Sequence, residues 1–434
     1  MAVGRMFARR AAAVPLCVKL CRGVSKPKFL TMFVNSWQRQ PIMLKCNMAK
    51  PKVLITYIEA GLGHIVSAKA VSDVLHKNYG DKLDIIDDYV CHDHGAVLAK
   101  FEADLVKSVK SYSKSHLSGN FQYGLLKIFG ERLARWGMYN LVFGKYKKAM
   151  VQYFREVKPD VIVSTHFAVS DFAATYRDRY NPQCKVVTYN PDYNTLGFWG
   201  KKDDLFIVNT NLGYQSCRAK KFDMAKVRQV PFIVREDLKK FNLSKAETRA
   251  KHGLPQDKFT VTVVDGAYGA AKLQAVTNEL LKTDREITLL VGACKNQALY
   301  DDYQKLREQL PPNITFVPLA FRMDIFEFYR ASDVVVTKSG AGIGMDCLSM
   351  NVPMIIDYCA TGLEVVNRDF YVNELKIAEF IPDAKQCRQR IEQFIDHPEL
   401  LQPYAANTEH YDKNNDGGRE VADLIFAICQ EPVL

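Results

Sequence analysis

Two glycine-bearing turns each follow a strand-like run and open a helix-like one. Gly61-Leu62-Gly63-His64 comes after Val53–Ile58, and Lys338-Ser339-Gly340-Ala341-Gly342 comes after Val334–Thr337. A strand that stops at small residues and restarts as a helix lets a ligand approach bare backbone N–H groups, and the helix dipole favours an anion there. At the second turn Ser339, Gly340, Ala341 and Gly342 form the candidate anion cradle. Asp346, one turn into the following helix, suits ribose hydroxyls. Glu364 and Asn367 lie three apart at the start of the next helix, so they share a face and suit sugar hydroxyls. The same glycines would also serve a plain strand–turn–helix. The ordered series Gly-Ala-Gly, Asp, Val-Pro, Gly-x-Glu-x-x-Asn is what favours a ligand. No Asp-x-Asp metal motif stands in a strand context. Asp87-Asp88 and Asp203-Asp204 read as solvated turn residues, and neither a metal nor a cofactor is expected.

The elements that must position these residues alternate in the manner of a parallel, doubly wound α/β sheet. Strands are expected at Val53–Ile58, Leu83–Asp87, Asp160–Ser164, Lys185–Tyr189 and Leu205–Val208, with a helix over Ser67–Tyr79 and long amphipathic helical pattern over 96–156. A second series begins at Phe259–Val264 and continues through Ile287–Val291, Ile314–Val317, Asp333–Thr337 and Pro353–Ile356. The 434 residues suit two lobes facing one cleft. The expected division is a basic extension at 1–48 outside the fold, an N-terminal lobe at 49–235, a linker at 236–258, a C-terminal lobe at 259–405 and a C-terminal helix at 406–434.

Charge is unevenly placed. The net charge is +11, yet residues 1–50 hold ten Lys and Arg and no acid. This head reads either as a transit peptide or as an extension upstream of Met48. A second excess lies at 100–158, where twelve bases face four acids and alternate with aromatics such as Phe121, Tyr123, Trp136, Tyr139, Phe143 and Tyr146. Such a segment suits either the headgroup layer of an anionic membrane or a solvated helix face with an aromatic core side. No nucleic-acid module accompanies the charge, so nucleic acid is not an expected partner. Eleven cysteines without paired spacing read as reduced thiols.

The series Lys338–Cys347, Asn351–Pro353 and Thr361–Asn367 resembles the donor-lobe pattern of the inverting, GT-B-fold glycosyltransferases. That family includes monogalactosyldiacylglycerol synthase, the processive diacylglycerol glucosyltransferases and the peptidoglycan N-acetylglucosamine transferase. The resemblance spans about residues 51–380 and is strongest at the two glycine turns. It implies a C-terminal lobe that binds a UDP-sugar and an N-terminal lobe that meets a lipid acceptor at an anionic membrane surface through 100–158. Gly61-Leu62-Gly63-His64 matches the family's Gly-Gly-Gly-His, which implies that His64 is the general base; a neutral imidazole suits that work. Gly266-Ala267-Tyr268-Gly269 is similar to the glycine loop near the diphosphate. His166 stands where the family has His-Pro, and either touches the acceptor or caps the next helix. Tyr189 occupies the place of the family's Val-Thr-Asp acid, for which Asp192 is the substitute on the acceptor side. Ile343, Asp346 and Leu363 depart from a hydroxyl residue, a Glu and a sugar-reading Gln.

The implied function is metal-independent, inverting transfer of a hexose from a UDP-sugar to a lipid, with diacylglycerol the implied acceptor. The implied location is the cytoplasmic face of a membrane, or an organelle if 1–48 is a presequence. The alternatives are a sterol or isoprenoid-linked acceptor, a UDP-sugar 2-epimerase, or a non-catalytic nucleotide-sugar-binding descendant.

Overall fold

The computed structural model describes residues 49–431 apart from 59–61, 90, 92–93, 113–132, 134, 267–270 and 361. The basic head, Gly61, Gly269 and the part of the basic stretch from Lys114 to Arg132 therefore lie outside the described residues.

Among the described residues, two six-stranded parallel sheets carry the chain. The first contains β1 (Lys52–Thr56), β2 (Asp84–Asp88), β3 (Val161–Ser164), β4 (Lys185–Tyr189), β5 (Leu205–Val208) and β6 (Val227–Gln229), in the order β2-β1-β3-β4-β5-β6. The second contains β7 (Phe259–Val264), β8 (Ile287–Gly292), β9 (Ile314–Leu319), β10 (Val334–Lys338), β11 (Met354–Tyr358) and β12 (Ala378–Phe380), in the order β12-β11-β10-β7-β8-β9. The fold class read from the alternation is the one observed.

The inner strands, such as β3, β5 and β10, are mostly apolar and buried because both faces of each sheet are covered there. Val53 and Ile55 enter one core layer and Leu54 the other, as the two-residue period of a strand requires. The second sheet divides in the same way, with Val334 and Val336 on one side and Val335 on the other. Each such side chain, taken fully out of water, contributes roughly 1.5–3 kcal/mol.

Three local expectations are corrected. The first helix spans Leu62–Tyr79, so Gly63 and His64 belong to its opening turn and do not precede it. Residues 236–258 are no bare linker. They form helices Glu236–Lys240 and Lys245–Lys251, the second tied to the C-terminal lobe where Arg249 pairs with Asp333 at 2.7 Å. The terminal segment breaks into helices Gln402–Glu409 and Gly417–Gln430, and the latter returns to the N-terminal lobe. There Val421, Ala422 and Ile425 enter the core of the first sheet, Phe426 stacks on Tyr79 at 4.1 Å, and the Tyr79 hydroxyl donates to Asp423 at 2.6 Å.

Each sheet has one point where the strand order reverses: between β1 and β3 in the first, between β7 and β10 in the second. Open α/β sheets offer a crevice at the carboxyl ends of such strands. The two glycine turns stand at these two places, and the helices they open, Leu62–Tyr79 and Ala341–Ser349, approach each other.

Candidate active site

His64 sits at the first reversal, in the opening turn of its helix and against the end of β3. Its Nδ1 lies 2.7 Å from the Thr165 carbonyl, and the Thr165 hydroxyl returns a 2.9 Å bond to the His64 carbonyl. A carbonyl only accepts, so Nδ1 carries the proton and Nε2 keeps its lone pair. Burial lowers the His64 pKa below the ordinary imidazole value, opposed in part by the Thr165 carbonyl. The ring is therefore neutral at neutral pH, with one nitrogen free to take a proton.

His166 packs edge-to-face against His64 with ring centroids 4.8 Å apart. Of the two roles open to it in the sequence, the structure displays the cap. Its Nδ1 accepts the Ala168 N–H at 3.2 Å at the start of the helix Phe167–Tyr180, and the residue is buried. Burial, then the neighbouring His64, holds its pKa well below the usual range.

At the second reversal the turn divides into lining and support. Gly340 is the N-cap of the Ala341–Ser349 helix. A side chain at Gly342 would meet nothing within 4 Å, so that face of the turn is open. Gly342 and Asp346, four apart, share it. Burial pushes the Asp346 carboxyl up to about 6, against the pull of Arg235, whose guanidinium is 3.8 Å away. Ser339 and Asn367 belong to the support. Both are buried, and the Asn367 amide donates to the Ser339 carbonyl at 3.1 Å, bracing the turn from behind.

Lys338 is the side chain that the sequence reading quoted without a role. Its ammonium bonds the Glu364 carboxylate, whose other oxygen accepts the Ala360 N–H at 2.6 Å. Burial works against this ammonium, yet Glu364 and Asp265 hold its pKa above the ordinary value. Gly266 has φ +59°, and a Cβ there would come within 2.9 Å of the Lys338 Cε. Glycine is thus required at the end of β7 for both conformation and space. A lysine at the carboxyl end of a reversal-point strand was the available signal.

The two lobes are pinned beside this turn. Tyr193, from the loop after β4, donates to the Ala341 carbonyl at 3.1 Å. The Tyr371 hydroxyl lies 2.7 Å from that of Tyr193 and 3.1 Å from the Gly340 carbonyl. Tyr371 reaches this position only because residue 344 is glycine: a Cβ there would lie 1.9 Å from its hydroxyl. Nothing in the sequence pointed to this pin. Asp192, one residue from it, is pushed up to about 7, first by burial and then by the charge of Glu364 in the other lobe.

One further expectation changes, and one that was left open takes its aromatic-core form in part. Asp203 is no solvated turn residue: it is buried, and burial pushes its carboxyl up to about 7 against the pull of the Thr188 hydroxyl. Within 100–158, Tyr139 and Tyr146 are core residues and Phe143 packs against the same cluster. Lys147 pairs with Asp171 at 2.8 Å. Among the described residues of this stretch, the large apolar side chains left exposed are Leu133, Trp136, Leu141 and Val142, each more than half exposed at 57%, 55%, 73% and 63%. No helix among the described residues is long and apolar enough to cross a membrane.

Comparison with known proteins places His64 and the second turn in recognised domains. Residues 64–223 match the monogalactosyldiacylglycerol (MGDG) synthase family model, and residues 260–379 match the glycosyltransferase family 28 C-terminal domain. The chain is 23% identical over 322 residues to the processive diacylglycerol beta-glucosyltransferase of Bacillus pumilus, covering 74% of this chain and 80% of that one. It is 22% identical over 381 residues to the "Probable monogalactosyldiacylglycerol synthase 2, chloroplastic" of Oryza sativa subsp. indica, covering 83% and 77%. Among solved structures it is similar to Acinetobacter baumannii MurG, with TM-score 0.54, 13% identity, and 87% and 99% of the two chains covered. It is equally similar to Arabidopsis thaliana UGT89C1 complexed with UDP, with TM-score 0.54, 13% identity, and 88% and 100% covered. The "putative UDP-N-acetylglucosamine 2-epimerase from Listeria monocytogenes" shares the fold at TM-score 0.55 and 12% identity, with 88% and 96% covered. The chain is a GT-B-fold glycosyltransferase, built from an MGDG synthase family domain followed by a family 28 C-terminal domain.

Proposed function

We propose that the protein transfers a hexose from a UDP-sugar to a lipid hydroxyl, that of diacylglycerol, with inversion at the anomeric carbon. The observation that carries this reading is the fixed tautomer of His64. A neutral imidazole with a free Nε2 stands at one reversal point, and an open helix start stands at the other. In this reading Nε2 takes the acceptor hydroxyl's proton as that oxygen attacks the anomeric carbon from the face opposite the departing UDP. The diphosphate lies on the N–H groups of Ala341 and Gly342 with the Lys338 ammonium beside it, and ribose lies on Asp346. These fixed positive groups offset the charge that develops on the leaving UDP, so no divalent metal is required. Support for a glycerolipid acceptor comes from the likeness to the processive diacylglycerol beta-glucosyltransferase of Bacillus pumilus and the probable monogalactosyldiacylglycerol synthase of rice.

The membrane-facing element of the proposal is Leu133, Trp136, Leu141 and Val142, flanked by the exposed Lys145 and Lys148. Exposed apolar side chains beside bases suit the headgroup layer of an anionic bilayer.

The test is to incubate the protein with diacylglycerol-containing vesicles and, separately, UDP-glucose, UDP-galactose and UDP-N-acetylglucosamine. UDP and a monohexosyl lipid appear with one of them under this reading. UDP-sugar consumption with an epimerised sugar nucleotide, and no glycolipid, would favour the epimerase alternative.

A further inference from the structure

Two buried hydroxyls, one from each lobe, converge on the carbonyls of one turn. Tyr193 and Tyr371 are each 1% exposed. A buried phenol needs a hydrogen-bond partner, and many polar atoms would serve. Here Tyr193 donates to the Ala341 carbonyl at 3.1 Å. The Tyr371 hydroxyl lies 3.1 Å from the Gly340 carbonyl, 3.3 Å from that of Ala341 and 2.7 Å from the Tyr193 hydroxyl. The backbone did not require these bonds. The Gly340 carbonyl already accepts the Gly344 N–H at 3.1 Å, as the first bond of the helix. Burial holds both phenols well above the ordinary tyrosine value, so both keep a proton to donate.

Those two carbonyls are the far ends of the cradle's own peptide groups. A trans peptide is planar, with its C=O and N–H pointing in opposite directions. The Gly340 carbonyl shares a peptide with the Ala341 N–H, and the Ala341 carbonyl shares one with the Gly342 N–H. Both N–H groups belong to the first turn of the helix, where no intrahelical acceptor exists. A hydroxyl held on the carbonyl side therefore fixes the direction of the N–H on the other side. It also polarises the peptide, which strengthens that N–H as a donor. The hydroxyls are themselves firmly placed. The Tyr193 carbonyl accepts the Thr210 hydroxyl at 2.6 Å. The Tyr193 ring packs on Phe370 at 4.8 Å and edge-to-face on Tyr371 at 5.4 Å between centroids. Residue 344 is glycine, and any side chain there would collide with the Tyr371 hydroxyl.

We propose, resting on the donor reading above, that Tyr193 and Tyr371 are positioning residues for the diphosphate. They hold and polarise the Gly340–Ala341 and Ala341–Gly342 peptides from behind, so that both N–H groups meet the diphosphate oxygens in front. Tyr193 belongs to the acceptor lobe, so the anion cradle is complete only with the two lobes docked. Recognition of the uridine part does not depend on either hydroxyl.

The experiment is calorimetry on the full chain with UDP and, separately, with uridine, comparing wild type with Tyr193→Phe and Tyr371→Phe. Phenylalanine keeps each ring and removes its hydroxyl. The expected result is uridine affinity within about twofold of wild type and UDP affinity lower by about fivefold or more, the scale of one lost hydrogen bond. The loss should appear with Tyr193→Phe although that residue lies in the other lobe. A merely structural role would weaken uridine and UDP in parallel. That result, or unchanged UDP affinity in both variants, would overturn the assignment and leave the donor reading standing. A wild-type protein that binds UDP no better than uridine would remove the diphosphate cradle itself, and this inference with it.

Discussion

The two reversal points are built alike and equipped differently. Each places a helix start against the end of a neighbouring strand. At the first, the polar side chain is a histidine whose burial favours the uncharged form, and one nitrogen is tied to Thr165 so that the other is free. At the second, the polar side chains are charged and matched: Lys338 with Glu364, braced by Ser339 and Asn367. The difference follows the work each is proposed to do. Proton transfer needs a group whose charge changes during the reaction, whereas holding a diphosphate needs positive groups that stay as they are.

The largest effect is expected at the first point. His64→Ala should lower turnover by roughly 10²–10⁴-fold, the usual reach of a positioned base, while UDP affinity measured by calorimetry stays near wild type. Because burial lowers the His64 pKa, the acid limb of kcat/KM should fall below the ordinary imidazole value near 6.5, and activity should hold as pH rises above it. Near-normal turnover in the alanine variant would erase the functional difference between the two points.

At the second point two glycines separate ligand from fold. Gly342→Val projects into open space, so it should leave thermal stability nearly unchanged and weaken UDP binding by about tenfold or more, since the cradle N–H groups become shielded. Gly344→Ala collides with the Tyr371 hydroxyl, so it should cost about 1–3 kcal/mol of stability in denaturant titration. If the two variants behave alike, the division of the turn into lining and support is wrong.

Smaller effects lie in the first lobe. Replacing Leu133, Trp136, Leu141 and Val142 by Ser should reduce co-sedimentation with anionic vesicles and spare UDP affinity. Raising salt should weaken the wild-type interaction as the Debye length shrinks below about 10 Å. Asp203→Asn addresses stability. The folded-state carboxyl, at about 7, holds its proton more tightly than the unfolded one, so the native state binds more protons between about 4 and 7. Stability from this group therefore falls as pH rises through that window. The asparagine variant should be more stable than wild type at pH 8, by about 1–2 kcal/mol, with the gap closing towards pH 5. Equal pH profiles of melting temperature for the two proteins would show that Asp203 carries no such penalty.

The architecture was legible because buried parallel strands leave an unambiguous trace. Val334–Val336 and Val161–Val163 are uninterrupted apolar runs that stop at small or polar residues. The donor series was legible because Gly340, Gly342 and Asp346 are near in sequence and each residue type has a local reason. What was hidden depends on distant pairs. Tyr193 and Tyr371 are 178 residues apart, and neither has a local pattern that predicts a shared bond. The terminal helix reaches Tyr79 from 344 residues away, and its amphipathic face fits either lobe until the packing is seen. The buried Asp203 was misplaced, and the core side of Tyr139 and Tyr146 was left as one of two readings, for a related reason. Composition shows that charges and aromatics alternate, but not which side of a helix or loop the rest of the chain covers.

The central claim is that His64 and the Gly340–Gly342 turn act from opposite sides of one anomeric carbon in a single displacement. The most direct test is the proton NMR coupling of the anomeric centre in the glycolipid made from an α-linked UDP-hexose. The account predicts the large coupling of a β-glycoside for glucose or galactose, formed by wild type and lost with His64→Ala. An α-linked product, or a β-linked one made equally well without His64, would contradict it.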